Sequence, residues 1–330
     1  MMGWKRREFI TLLGGAVAAW PLAARAEQNR HQRRVGVLMT TSREASLPLL
    51  KAMADRLFEL SASEGKTVII DDVWNEGRFD LFESLAVELV QRRPDVIVAP
   101  TTVAASTVKR IAPDLPTVFL TVADPVGSGL IASYARPGGS VTGIQGNIGT
   151  LPGKQIGLLR EIVPTATRIG MLVNSPNPST TLQMQNAEGA ATSLGITLVS
   201  ASISSPDDIE RAFDQLIKGR AQAAIFPTDA TVMSERKRIA RLAASAQLPS
   251  IFPFREQARD GGLLSYGVDL SENYRRAAEF VHKILNGAKA GDLPVEFPTK
   301  LYLGVNLRTA KTIGVTIPEA FLLRADEVIE

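Results

Sequence analysis

Residues 95–102 read DVIVAPTT, and the rest of the sequence is arranged around them. An apolar run of strand length ends at a proline, two threonines follow, and residues 103–111 have the apolar spacing of a helix. The same pattern returns 127 residues later, where residues 223–229 read AAIFPTD. Ligands of open α/β sheets bind at the carboxyl ends of the strands. The repeat therefore predicts a ligand held between two similar lobes.

The spacing of apolar residues predicts two series of alternating strands and helices. The first series has strands at 34–39, 67–73, 96–99 and 117–122 and helices at 47–60, 79–91 and 103–111. The second has strands at 168–173, 197–201, 223–226 and 250–252 and helices at 154–162, 180–194, 207–218 and 232–245. By the rules of chirality and burial, each series forms a parallel sheet wrapped by helices. The predicted fold class is α/β, with two doubly wound parallel-sheet lobes.

Short matching segments support the duplication. Residues 34–38 (RVGVL) match residues 168–172 (RIGML), and residues 115–119 (LPTVF) match residues 248–252 (LPSIF). Turn residues at 135–143 separate the two series. The remaining predicted elements, which lie outside both series, are a helix at 272–285, an extended segment at 295–305 and short helices at 307–313 and 318–324.

The amino terminus has the pattern of an export signal. A basic start at residues 5–7 precedes a modestly apolar stretch at 9–22, and residues 24–26 (ARA) form a small-x-small cleavage site, so we expect cleavage after Ala26. Residues 5–10 (KRREFI) are similar to a twin-arginine signal, and an ordinary secretory signal is the alternative. The predicted location of the mature chain is the periplasm, as a soluble monomer.

Charge and composition exclude several classes of function. Of the 37 basic and 34 acidic residues, four basic and one acidic lie in residues 1–26, so the mature chain has no net charge. Overall charge therefore gives no support for a nucleic-acid partner. Because the chain has no cysteine, thiol catalysis, zinc–cysteine sites and disulfides are impossible.

Polar residues at the two repeated strand ends are the first candidates for a binding site. Thr101, Thr102 and Thr228 offer hydroxyls and helix-start amides to an anionic group such as a carboxylate. Asp229 offers a carboxylate to a cation such as an α-ammonium group. The alternative is that these residues serve only as helix N-caps. Their duplication at matched places keeps a binding role open beside capping.

Further candidates lie on neighbouring loops: Thr41 and Ser42 after the first strand, Asn174 and Asn177 after its counterpart, and Asp124, Tyr266 and Asp269 where the chain leaves other strands. Turn chemistry is the alternative for the asparagine loop. Asp124 either lines the cleft or caps residues 127–130, and Tyr266 either stacks on a ligand or fills the hinge.

Catalytic and metal-binding motifs are not evident. The sequence has only His31 and His282, and it lacks the Gly-x-Ser-x-Gly nucleophile elbow. No spacing of potential ligands indicates a metal site, and no glycine pattern matches a phosphate or dinucleotide loop. We therefore predict no catalytic residues, no metal and no cofactor.

Four segments together resemble one family: residues 5–10 (KRREFI), 123–130 (ADPVGSGL), 135–143 (ARPGGSVTG) and 306–311 (NLRTAK). It is the ABC transporter substrate-binding protein family that includes tryptophan- and phenylalanine-binding members. The similarity covers essentially the whole chain, and the RPGGxxTG turn is the most specific of these motifs.

The resemblance implies a periplasmic-binding-protein fold of type I with about three crossings between the lobes. Lobe 1 would hold residues 34–142 and about 269–298, and lobe 2 with the hinge would hold residues 143–268 and about 299–330. It also implies a small-molecule ligand in the cleft, an ABC permease in the inner membrane as partner, and no catalysis. In such proteins the loop starting at Pro227 meets the amino-acid moiety, and the loop at 101–104, with Ala104, and Asn174 make further contacts.

The chain departs from the family at Ser140, where asparagine is usual, and at Ala230, where aromatic-amino-acid binders commonly have a polar residue. The ligand stays open between an amino acid and a similar small organic solute. Two other functions also stay open, a ligand-sensing module for a signalling partner and a carboxylate-based hydrolase.

Overall fold

The computed structural model describes residues 32–146 and 148–330, and the predicted export signal at residues 1–26 lies outside them. Residues 34–330 form one compact unit that contains both sheets. No helix in the described part of the chain has the length and apolar character needed to cross a membrane.

Lobe 1 is built on a five-stranded sheet with the order β2-β1-β3-β4-β5. Its strands are β1 (Arg33–Met39), β2 (Val68–Trp74), β3 (Val96–Val98), β4 (Thr117–Val122) and β5 (Val141–Gln145). The pairs β1–β3, β3–β4 and β4–β5 are parallel. Strand β5 corrects the sequence analysis, which interpreted residues 135–143 only as turns.

Lobe 2 is built on a seven-stranded sheet with the order β12-β11-β10-β9-β8-β6-β7. Its strands are β6 (Arg168–Asn174), β7 (Thr197–Ile203), β8 (Ala223–Ile225), β9 (Ser250–Phe252), β10 (Leu264–Gly267), β11 (Tyr302–Asn306) and β12 (Glu327–Ile329). The pair β10–β11 is antiparallel, whereas the other recorded pairs in this sheet are parallel.

The strand order confirms the duplication. The first five strands of each lobe, counted along the chain, have the same spatial order in their sheets. The order is β2-β1-β3-β4-β5 in lobe 1 and β7-β6-β8-β9-β10 in lobe 2. The predicted fold class of two doubly wound parallel-sheet lobes is therefore confirmed. The two threonine-bearing loops follow β3 and β8, which are equivalent strands at the centre of each five-strand set.

The helices, numbered along the chain, are α1 (Arg43–Ala62), α2 (Phe82–Gln91), α3 (Thr102–Ile111), α4 (Leu151–Ile162), α5 (Thr180–Ser193), α6 (Ile209–Lys218), α7 (Ala230–Ser234), α8 (Arg236–Ser245), α9 (Arg255–Arg259), α10 (Leu270–Leu285), α11 (Leu307–Thr312) and α12 (Glu319–Leu322). Short 3₁₀ turns cover Phe79–Leu81, Ile148–Thr150, Pro206–Asp208 and Ala290–Asp292. The single helix predicted at 232–245 is divided into α7 and α8.

Apolar side chains at helical spacing attach these helices to the sheets. In α6, Ile209, Phe213 and Leu216 lie on one buried face. Phe213 stacks on Phe226, which stacks on Phe252, with ring centroids 5.9 and 4.7 Å apart. Helix α10 follows β10 of lobe 2 but packs into the core of lobe 1 beside α1. The chain therefore returns to lobe 1 before it ends.

Three chain crossings connect the lobes. The first runs from β5 to α4, the second from β10 to α10, and the third follows Glu296 and leads into β11. Glu296 still belongs to lobe 1, because it forms a parallel bridge with Ile144. Crossings of this kind form a hinge about which two lobes can close.

Candidate ligand-binding site

A cleft lies between the carboxyl ends of the two sheets. Both lobes contribute to its wall, as expected for a site at strand ends. It is lined by Thr40, Thr41, Ser46, Leu49, Phe79, Pro100, Thr101, Thr102, Val103, Thr121, Ile148, Asn177, Ser179, Thr228, Asp229, Ala230, Met233, Phe254, Leu270 and Tyr274.

The lobe 1 side of the cleft presents neutral hydroxyl groups. Thr101 is the N-cap of α3, and its Oγ1 accepts a hydrogen bond from the backbone amide of Ala104 at 3.4 Å. Thr121 at the end of β4 donates to the carbonyl of Pro100 at 2.6 Å, which fixes the start of the loop. Thr102 contacts Ser179 of lobe 2 through their hydroxyl oxygens, 3.3 Å apart. The amino terminus of α3, a helix of 10 residues, thus faces the cleft.

The lobe 2 side presents a buried carboxylate. Asp229 is 6% exposed, and its Oδ2 accepts hydrogen bonds from the side-chain amides of Asn174 and Asn177, each at 2.9 Å. Its Oδ1 accepts from the backbone amide of Val232 at 3.0 Å and caps α7. Burial raises the pKa of Asp229 above its ordinary value of 3.8, against the lowering effect of these hydrogen bonds. Ionisation of the buried Asp229 carboxylate therefore carries a desolvation free-energy cost unless a cation pairs with it.

The loop around Asp229 is held rigidly. Gln183 accepts a hydrogen bond from the Thr228 backbone amide at 2.9 Å and donates one to the Thr228 carbonyl at 3.1 Å. Among the described residues, the Thr228 hydroxyl and Asn174 Oδ1 are buried and have no hydrogen-bond partner. Because Thr228 lines the cleft wall, its unpartnered hydroxyl is a candidate contact for a ligand.

The rest of the cleft is apolar and partly aromatic. Phe79, Phe254 and Tyr274 line it together with aliphatic side chains. Tyr274 is buried, its hydroxyl donates toward Met39 Sδ at 3.9 Å, and burial raises its pKa, so the phenol is neutral at physiological pH. No lysine, arginine or histidine is among the described residues that line the cleft. Among the described residues, no group of three or more His, Cys, Asp or Glu side chains could hold a metal ion.

The structure brings several residues predicted from the sequence into the cleft wall, namely Thr41, Thr101, Thr102, Asn177, Thr228 and Asp229. Others lie just behind it. Asn174 is buried beneath Asp229, Ser42 caps α1, and Ala104 is fully buried within α3. These three support the wall without facing the ligand space.

The remaining predicted residues lie elsewhere. Asp124 is exposed and accepts from the Gly127 amide at 2.8 Å, which is the capping alternative. Tyr266 lines a separate pocket with Leu158 and Leu303. Asp269 caps α10 and pairs with Arg255. In the part of the chain that the structure describes, none of these three lines the cleft.

The sequence patterns did not indicate most apolar residues of the cleft wall, nor the hydroxyls of Thr40 and Thr121. Thr40, Thr121 and Phe254 follow or end strands β1, β4 and β9, so the strand-end rule applied to every strand would have found them. Tyr274 and Leu270 lie on α10, which reaches the cleft only because the chain crosses back to lobe 1. No local signal in the sequence distinguishes those two residues from ordinary core residues.

Comparison with known proteins agrees with this architecture. Residues 34–329 match the family described as ABC transporter substrate binding protein. The chain is 24% identical over 291 residues to a tyrosine-binding protein of Clostridioides difficile, covering 87% of this chain and 82% of the relative.

Two solved structures are similar over 90% of the chain, each with a TM-score of 0.81 and 26% identity. One, from Vibrio cholerae, is described as a conserved domain protein, and 99% of it is covered. The other, from Streptococcus pneumoniae, is an ABC domain in complex with L-Trp, and all of it is covered (100%). The family resemblance found in the sequence is confirmed: the chain belongs to the ABC transporter substrate-binding protein family.

Proposed function

We propose that this protein is the extracytoplasmic receptor of an ABC importer and that it binds a free α-amino acid with a large apolar or aromatic side chain. The observation that carries the proposal is the buried Asp229 carboxylate, which lies in a cleft wall without a basic side chain. A ligand that brings its own ammonium group would pair with it and offset the cost of its burial.

The carboxylate of the amino acid is assigned to the opposite lobe. The amino terminus of α3 and the hydroxyls of Thr101 and Thr102 offer hydrogen-bond donors and a partial positive charge. The two charged ends of one zwitterion would then touch different lobes. Such a ligand favours closure because only the closed form makes both sets of contacts.

The apolar wall of the cleft supports a large apolar or aromatic side chain on the ligand. Phe79, Phe254 and Tyr274 can contact a ring at its face or edge, and Met233 and Leu49 add adaptable apolar surface. The tyrosine-binding relative and the L-Trp complex support an aromatic amino acid as the first ligand to test.

We further propose that the chain binds its ligand without transforming it and requires no cofactor. Its partner is an ABC permease in the inner membrane. The binding protein is exported by the twin-arginine route, is cleaved after Ala26 and works in the periplasm as a soluble monomer. Family membership supports the transport role, and the motif at residues 5–10 supports the export route.

Titration calorimetry of the chain from residue 27 onward with the twenty amino acids tests the binding function. We expect L-tyrosine, L-tryptophan or L-phenylalanine to bind, and Asp229→Ala to weaken that binding by about 3 kcal/mol, roughly a hundredfold, because it removes the partner of a buried charge. Asp124→Ala is the matched control, since Asp124 is an exposed aspartate outside the cleft wall.

Absence of binding by every amino acid would contradict the proposed ligand class. Equal affinity of the wild-type protein and Asp229→Ala would contradict the assignment of the ammonium group to Asp229. Circular dichroism of both variants checks that each is folded.

A further inference from the structure

One loop of lobe 1 touches α7 of lobe 2 directly behind the cleft. The Thr231 hydroxyl donates a hydrogen bond to the Gly77 carbonyl at 2.8 Å. Close by, the Ser42 backbone amide donates to the Ser234 hydroxyl at 2.9 Å. Thr231 is 2% exposed, so its contact with Gly77 is shielded from water. We name Asn75–Arg78 and Ala230–Ser234 together the seam.

The lobe 1 loop of the seam, Asn75–Arg78, has two consecutive residues in the left-handed backbone region. Glu76 and Gly77 have positive φ angles of 53° and 76°. A Cβ atom at position 77 would lie 3.0 Å from Ser234 Oγ and 3.3 Å from Thr231 Cα, so glycine permits the close approach. Asn75 is fully buried and fixes the turn, accepting from the Gly77 amide at 3.0 Å and donating to the Arg78 carbonyl at 3.1 Å. The loop is thus built to present the Gly77 carbonyl.

The hydrogen bonds on the lobe 2 side form an ordered chain. The side-chain amide nitrogen of Asn174 donates to Asp229 Oδ2 at 2.9 Å and to Thr231 Oγ1 at 3.1 Å, which uses both of its hydrogens. Since Thr231 accepts from Asn174, its single hydroxyl hydrogen is free for Gly77. The opposite orientation of the Asn174 amide would set its oxygen against the Asp229 carboxylate. The Asp229 carboxylate therefore determines the donor-to-acceptor direction of each hydrogen bond in this series.

We propose that Thr231 is a positioning residue that couples ligand binding at Asp229 to closure of the cleft, through the path Asp229–Asn174–Thr231–Gly77. This inference rests on the proposed function only in taking Asp229 as a ligand contact. A bound cation fixes the position of the Asp229 carboxylate, which in turn orients the Asn174 amide. The Thr231 hydroxyl then donates its hydrogen bond to Gly77 of the other lobe. Because Gly77 and Thr231 belong to different lobes, separation of the lobes at this point would break their hydrogen bond.

The test compares Thr231→Val, which keeps the β-branched shape but has no hydroxyl, with Thr231→Ser, which keeps the hydroxyl. Thr312→Val is the matched control, since the exposed Thr312 donates only to the Arg308 carbonyl within its own helix. L-tyrosine is the probe, with affinity measured by calorimetry and dissociation by rapid mixing. Because the chain has no cysteine, Val87→Cys in α2 and Gln215→Cys in α6 place spin labels on the two lobes at unique sites.

We expect Thr231→Val to speed dissociation of L-tyrosine and weaken its affinity about tenfold, the effect of losing one to two net hydrogen bonds. The distance between the spin labels should shift toward the open form, and Thr231→Ser should restore all three quantities. Unchanged dissociation and distances in Thr231→Val would overturn the proposal, as would failure of Thr231→Ser to restore them. A merely structural role would lower the melting temperature without changing the dissociation rate.

The two proposals fail in different ways. If the wild-type protein binds no amino acid, the proposed function fails, and the closed fraction of the ligand-free protein decides the role of Thr231. A lower closed fraction in Thr231→Val then shows that the Thr231–Gly77 hydrogen bond stabilises the closed form, and equal closed fractions overturn this role of Thr231. If the wild-type protein binds L-tyrosine and Thr231→Val behaves like wild type, the proposed function stands and the role of Thr231 is rejected.

Discussion

The loops after β3 and β8 are equivalent in position and different in charge. Each begins with proline and threonine at the end of the third strand of its lobe, and each leads into a helix. The lobe 1 loop ends in Thr101 and Thr102 and carries no charge, whereas the lobe 2 loop ends in Asp229, which is buried and accepts three hydrogen bonds. The duplicated architecture determines where the two loops lie, and the loops differ in charge at one position, where lobe 1 has Thr102 and lobe 2 has Asp229.

The helices that follow these loops differ as well. Helix α3 has 10 residues and is long enough for a substantial dipole, but α7 has only 5. The lobe 1 loop is thus suited to a negative ligand group and the lobe 2 loop to a positive one. A ligand with two opposite charges fits this asymmetry, and a symmetric one does not.

Placing a carboxylate at the helix cap of the lobe 1 loop, as Asp229 does in the lobe 2 loop, should have the largest effect among the following changes. In Thr101→Asp, aspartate still caps α3 but faces the ligand carboxylate, so we expect affinity for an amino acid to fall by about 2 kcal/mol, roughly thirtyfold. Calorimetry measures the affinity, and thermal unfolding should stay near wild type. Thr101→Ser is the control. Affinity equal to wild type in Thr101→Asp would show that the carboxylate does not lie at this loop.

Acid pH should change the charge of the lobe 2 loop alone, because of these two loops only the lobe 2 loop carries a titratable carboxylate, that of Asp229. The raised pKa of Asp229 means that the free protein takes up a proton at a pH above 3.8. Ligand affinity that requires the carboxylate is therefore complete well above this raised pKa and is lost as the pH falls through it, by up to about tenfold per pH unit. Calorimetry in the acid range should show this loss in the wild-type protein.

The contribution of Asp229 to folding has the opposite sign. Since its pKa is raised in the folded protein, its contribution to the free energy of unfolding is fully present below pH 3.8 and is lost as the pH rises through the folded pKa.

Asp229→Asn is the control for the pH dependence of ligand affinity. Its affinity should not change with pH over the same range. A pH dependence that persists in Asp229→Asn would assign the titration to another group.

Removal of the lobe 1 cap should have the smallest effect. Thr101→Ala leaves the Ala104 amide without its side-chain partner. We expect the free energy of unfolding to fall by about 1 kcal/mol, with a decrease in melting temperature of about 2 °C for a chain of this size. Urea denaturation measures the change. A loss several times larger would mean that Thr101 stabilises the lobe by contacts other than capping.

Local patterns in the sequence predicted most of the fold. The predicted strands at 117–122 and 250–252 agree with β4 and β9, because apolar β-branched runs between turn residues are typical of buried strands. Strand β5 was missed because its segment is rich in turn residues. A Cβ at Gly143 would lie 2.1 Å from the Phe119 carbonyl oxygen, so this glycine permits close strand pairing and does not mark a turn.

The candidate site was only partly predictable, because capping and cleft lining proved compatible. Thr101 and Asp229 both cap helices and both line the cleft, so the sequence could not separate these roles. Both depend on the same geometry, a polar residue between the end of a strand and the start of a helix. The position of each residue relative to the other lobe decides which of them faces a ligand.

The α/β class, the duplication and the two polar strand ends could be predicted from the sequence, because strand and helix periodicity and turn chemistry are properties of short segments. Which residues share the cleft depends on the tertiary structure. Tyr274 reaches it through a chain crossing, and Thr231 meets Gly77 across 154 residues of sequence. Contacts between lobes depend on how the two sheets close on each other, and no spacing along the chain encodes that distance.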